Sequence, residues 1–100
     1  MDERIKEIAK HYGYEPQSRQ LIEEMAELTK AINKVWRTRN FPCTQFDAVR
    51  AMDNLFEEIA DVEVMLEQIK YLMHCFGEVA IFKEQKIARQ IERIEGKTDS

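Results

Sequence analysis

Twice along this 100-residue chain the apolar side chains recur in alternating steps of three and four. The first run is Leu21, Met25, Leu28, Ile32 and Val35. The second is Met52, Leu55, Ile59, Val62, Leu66, Ile69, Met73 and Phe76. That spacing returns to one side of an α-helix, whereas a strand would need steps of two. No segment sustains a two-residue alternation. Gly and Pro supply only 3 and 2 residues, too few for a turn-rich β architecture. The chain is therefore expected to be all-α.

The boundaries follow from the breakers. Residues 3–11 carry a weaker helical pattern, with Ile5, Ile8 and Ala9 on one side, and Gly13 and Pro16 end it. Pro16 suits the first turn of a second helix, where its missing N–H costs nothing, and that helix runs to about Arg37. Arg39–Thr44 (RNFPCT) reads as a connection. A third helix is expected from about Gln45 to His74, a break at Gly77, and a fourth helix from about Glu78 to Ile94. The polar tail from Gly96 to Ser100 is expected to fray. With no linker, residues 1–100 form one domain: an antiparallel helical hairpin with two flanking helices. A hairpin of this kind cannot bury both seams by itself. Pairing of two hairpins into a four-helix bundle is expected, as a homodimer or a homotetramer.

The two long helices share more than their periodicity. Shifting the sequence by 34 positions lays Leu21-Ile22-Glu23-Glu24-Met25-Ala26-Glu27-Leu28 on Leu55-Phe56-Glu57-Glu58-Ile59-Ala60-Asp61-Val62. At about 100° per residue, Glu24 and Glu27 lie about 60° and 120° to one side of Leu21, and Glu58 and Asp61 lie likewise beside Leu55. Glu23 and Glu57 face outward. Antiparallel packing brings the equivalent edges together, so Glu24, Glu27, Glu58 and Asp61 are expected to converge. Four like charges at close range need a positive centre among them. Hard oxygen donors in that number suit Mg²⁺, or Mn²⁺.

This constellation resembles the signature of the all-α nucleoside triphosphate pyrophosphohydrolases, the superfamily of MazG and MazG-like proteins, dimeric dUTPases and phosphoribosyl-ATP pyrophosphohydrolase. Glu23-Glu24-x-x-Glu27 followed by Glu58-x-x-Asp61 carries the likeness, which extends over Gly13–Ile69 and includes the flanking YGYEPQSRQL and AELTKAI. The 30 residues between Glu27 and Glu58 are more than is common in small MazG proteins. The resemblance implies a Mg²⁺-dependent enzyme that cleaves a nucleoside triphosphate between its α and β phosphates, with Glu24, Glu27, Glu58 and Asp61 as catalytic metal ligands. A polyphosphate needs further positive groups. Lys34 and Arg50 flank the acidic edge, Gln20 and Asn54 are placed to hold a metal-bound water or the nucleotide, and Trp36 and Arg37 are candidates to stack on a base. The alternatives are hydrolysis of phosphoribosyl-ATP and, from another class, a helical interaction protein with acidic edges.

Other chemistries find little support. The 19 acidic against 15 basic residues give a net charge of −4, unlike a protein built to bind nucleic-acid backbones. His11 and His74 share no motif with a carboxylate, and the position three after Glu24 or Glu58 is acidic where a di-iron bundle wants His. There is no Gly-rich phosphate loop. Met25, Met52, Met65 and Met73 read as core. Cys43 and Cys75 read as buried, reduced small residues. The charged start MDERIKEIAK has no apolar leader segment. No apolar run nears the roughly 18–20 residues of a membrane span. The expected location is the cytoplasm, without a membrane partner.

Overall fold

The computed structural model describes residues 1–96. It is all-α among these residues, with α1 (Glu3–Tyr12), α2 (Tyr14–Asn40), α3 (Gln45–Leu72) and α4 (Phe76–Ile94). The expected fraying of the tail falls on residues 97–100, outside the described ones, apart from Gly96. None of the described helices is long and apolar enough to cross a membrane.

Local signals place the ends. The Asp2 carboxylate caps α1 by accepting from the Arg4 N–H at 2.9 Å, and the Arg4 guanidinium holds that carboxyl down at about 2. Gly13 turns the chain from α1 into α2 at φ 83, a backbone that side chains other than glycine rarely accept. Phe41 leaves α2 in extended conformation, and Thr44 caps α3 by accepting from the Asp47 N–H at 3.0 Å. Removing this cap with Thr44→Ala is expected to cost about 1 kcal/mol of stability, read by urea titration, with no change in the denaturant slope.

The expected break at Gly77 lies instead at Met73–Cys75. Gly77 sits inside the first turn of α4, while His74 takes the left-handed conformation at φ 54. Polar histidine is among the residues that tolerate this region, and the closing backbone bonds decide the position.

The hairpin is α2 packed antiparallel on α3, with α1 against one end of both. At that end Gln17 donates from Nε2 to Gln68 Oε1 at 2.7 Å, and both side chains are buried. This bond pins the register. Seven residues on from Gln17 along α2 is Glu24, and seven back from Gln68 along α3 is Asp61. Three more steps set Glu27 across from Glu58.

The helix contact itself is rotated from the expected seam. It runs along Gln17, Glu24, Leu28, Ala31 and Val35 on α2, and Ala51, Glu58, Val62, Met65 and Gln68 on α3, all buried or half-buried. The near-absent side chains of Ala31 and Ala51 let the backbones approach there. Met25, Ile32, Ile59, Leu66 and Met73, expected inside, are exposed. Together with Ile22, Trp36, Val49 and Phe56 they form an apolar face on one side of the hairpin. The carboxylate edge is on the other side. Of the four methionines expected in the core, Met65 is buried and Met52 half-buried, whereas Met25 and Met73 share the exposed face. Cys43 also departs from expectation: it lies exposed in the connection, because α2 continues to Asn40 and leaves only residues 41–44 to turn the chain. Cys75 is half-buried.

Candidate metal centre

The register brings three of the four carboxylates together. Oxygens of Glu24, Glu58 and Asp61 all lie within 4.8 Å of one another. Glu24 and Glu58 are half-buried because they stand in the helix-contact row, and Asp61 is exposed at its edge. Glu27 lies one turn further along α2, is exposed, and pairs with Lys30 at 3.8 Å. Gln20, one turn earlier, donates from Nε2 to Glu24 Oε1 at 2.7 Å and so orients that carboxylate.

Glu58 shows the cost of the arrangement. Its Oε2 is shut off from solvent and has no hydrogen-bond partner among the described residues. Desolvation raises its pKa above the ordinary glutamate value, and the charges of Asp61, Glu24, Glu27 and Glu57 push it further in the same direction. A buried carboxylate oxygen without a donor is a costly feature unless a cation meets it. An all-oxygen, carboxylate-rich donor set suits a hard divalent ion such as Mg²⁺ or Mn²⁺, and among the described residues no cysteine or histidine joins the group to favour zinc. The residues present therefore fit such an ion.

Beside the triad, between the second half of α2 and the first half of α3, is a cavity of about 620 Å³. Lys30, Lys34, Arg37 and Arg50 contribute its positive charge, Glu27 and Asp47 its negative charge, and Asn54 and Thr38 line it as well. Two sequence expectations are modified here. Gln20 serves Glu24 rather than lining the cavity. Trp36 lies on the opposite, apolar side of α2, edge-on to Phe41 at 5.8 Å and 57% exposed, so the chain does not bring it to the triad. The residue missed was Lys30. Its signal was legible, since Lys30, Lys34 and Arg37 follow at i, i+4 and i+7 on one helical stripe.

The arrangement can bind a divalent cation on three oxygens and, next to it, an anion on two lysines and two arginines. No family profile, curated protein or solved structure matches the chain.

Proposed function

We propose that this protein is a Mg²⁺-dependent nucleoside triphosphate pyrophosphohydrolase, converting a (d)NTP to a (d)NMP and pyrophosphate, as its resemblance to the all-α pyrophosphohydrolases implies. The observation that carries the reading is the orphaned Glu58 oxygen, within a carboxylate triad, beside a cavity lined by four cationic side chains. A cation site alone would not need the cationic wall, and a simple anion site would not tolerate the triad. A metal-bound polyphosphate satisfies both.

Glu24, Glu58 and Asp61 would hold the metal. When bound, it supplies neutralisation of phosphate charge and a more acidic water. Gln20 keeps Glu24 in place. Lys30, Lys34, Arg37 and Arg50 receive the phosphates and stabilise the charge that gathers on the leaving pyrophosphate. Glu27 remains outside the triad, on the wall of the cavity, and in this reading would be the carboxylate that accepts the proton of the attacking water. Water oxygen bonds to phosphorus, the bridging P–O bond between α and β breaks, and pyrophosphate departs. The same reading pairs two copies through the exposed apolar face, as a homodimer or a dimer of dimers, in the cytoplasm where nucleotides are plentiful and the free thiols stay reduced.

Incubation with a panel of NTPs, dNTPs and phosphoribosyl-ATP plus Mg²⁺, followed by assay of pyrophosphate, tests the reaction. Pyrophosphate from at least one nucleotide, abolished by chelation, is expected. None from any of them would leave the triad as a structural metal site in an interaction protein.

A further inference from the structure

The cations of the cavity beside the triad are laid out in a row. Lys30, Lys34 and Arg37 climb α2 by about 10 Å, and Arg50 faces them from α3. The register that sets Glu27 across from Glu58 sets Lys34 across from Ala51, next to Arg50. Lys30 pairs with Glu27, but Lys34, Arg37 and Arg50 hold no ion pair among the described residues. Cations gathered without counter-charges repel one another, and an anion lying along them relieves that cost. The row starts beside the triad and ends at Asp47, about 16 Å along α3 from Glu58.

Nothing comparable is set out for a nucleoside. Apart from Ala51, the residues lining the cavity are charged or bear an amide or a hydroxyl, and none is aromatic. Trp36 and Phe56 belong to the apolar face on the other side of the hairpin. The Phe46 ring has the Arg50 guanidinium over it at 5.6 Å. With the leaving phosphates on the row, a nucleoside would extend from the triad the other way, toward α1. In the helix contact on that side, Gln20 is committed to Glu24, and Gln17 and Gln68 to one another. Bases are held by stacking on rings and by hydrogen bonds to their edges. That stretch of the contact supplies no ring and no uncommitted amide.

We infer that the site reads the phosphate chain and not the nucleoside, so that inorganic tripolyphosphate enters it as a second substrate. The leaving group is the same in both reactions. Water oxygen bonds to a terminal phosphorus, the P–O bond to the middle phosphate breaks, and pyrophosphate departs with the electron pair, its charge met by the cationic row. The proton of the water goes to the Glu27 carboxylate, and orthophosphate is the other product. The cleavage rests on the reaction proposed above; recognition of the chain does not.

Inorganic tripolyphosphate and a panel of NTPs, each with Mg²⁺, are compared by kinetics and by calorimetry. Tripolyphosphate is expected to yield equal amounts of orthophosphate and pyrophosphate, with kcat/KM within about tenfold of the best nucleotide. A site that hydrogen-bonds the nucleoside would instead reject a ligand lacking it by about 10⁴-fold or more. Tripolyphosphate competes with the nucleotide, and Lys34→Ala/Arg50→Ala weakens binding of both by the same factor, at least about tenfold. Phe46→Ala leaves the ratio between the two substrates unchanged. Cleavage of a nucleotide with neither cleavage of tripolyphosphate nor competition by it overturns the inference and leaves the proposed function standing. A loss confined to nucleotides in Phe46→Ala does the same. If no nucleotide is cleaved, the reaction proposed above fails and calorimetry decides. Tight binding of tripolyphosphate, lost in Lys34→Ala/Arg50→Ala, upholds recognition of the chain, and no binding overturns it.

Discussion

Glu58→Gln is expected to abolish pyrophosphate release and, at the same time, to stabilise the metal-free protein. The two effects have one origin. Glu58 contributes the oxygen that is both desolvated and surrounded by Asp61, Glu24, Glu27 and Glu57. Glutamine keeps the shape and removes the charge, so the repulsion is relieved while a metal ligand is lost. Changes to groups that merely support a metal ligand already cost about 10–100-fold, so loss of the ligand itself is expected to lower Mg²⁺ affinity by at least about a hundredfold. Pyrophosphate assay reads the first effect, and thermal unfolding in chelator reads the second. A variant less stable than wild type without metal would show that Glu58 is held by partners rather than by a cation.

The same carboxylate sets a pH dependence. Its folded-state pKa lies above the unfolded value near 4.5, so the folded protein binds the proton more tightly. Its contribution to metal-free stability is fully present below that unfolded value and is lost as pH rises through the raised folded value. Metal competes with the proton for the same oxygens, so Mg²⁺ affinity rises over the same window, and the thermal shift produced by Mg²⁺ widens with pH. In Glu58→Gln that part of both slopes disappears.

Placing charge on the apolar face is the second large effect. Ile32 and Phe56 are 53% and 55% exposed in the single chain, on α2 and α3 respectively. If the face were ordinary surface, Ile32→Glu/Phe56→Glu would change stability by no more than about 0.5 kcal/mol per site. If it is the seam between two hairpins, each substitution removes roughly 1.5–3 kcal/mol of apolar burial and strands a carboxylate in the interface. The dimer constant is then expected to rise by at least about a thousandfold, with one-chain mass in light scattering and a melting temperature that no longer depends on protein concentration. A wild-type chain that is already monomeric at high concentration would defeat the prediction at its first control.

Much of the candidate site was legible in the chain because it rests on repetition. The 34-residue shift that superposes Glu24 and Glu27 on Glu58 and Asp61 is a statement about angles on a helix, and angles follow from the backbone alone. The same arithmetic puts Lys34 and Arg50 beside the acidic edge, and they line the cavity there; Arg37, expected near the connection as a candidate to stack on a base, lines it as well. Trp36 is close in sequence to the connection but faces away from the cavity. One residue before Arg37 is about 100° around the helix, which carries the indole to the apolar side.

The sequence by itself determined four helices, their order, a short antiparallel connection and an acidic edge on each of the two long helices. These depend on local periodicity, capping and chain-breaking residues, which act within a few residues of one another. The tertiary structure alone decided which part of each broad apolar stripe meets its neighbour. Packing around Ala31 and Ala51, with the buried Gln17–Gln68 hydrogen bond, rotates the contact toward Glu24 and Glu58, desolvates one carboxylate oxygen and leaves Ile32, Phe56 and Leu66 in water. Periodicity gives a face about 100° wide. Only the close approach of two backbones chooses within it, and that choice produced both the strained carboxylate triad and the uncovered face behind it.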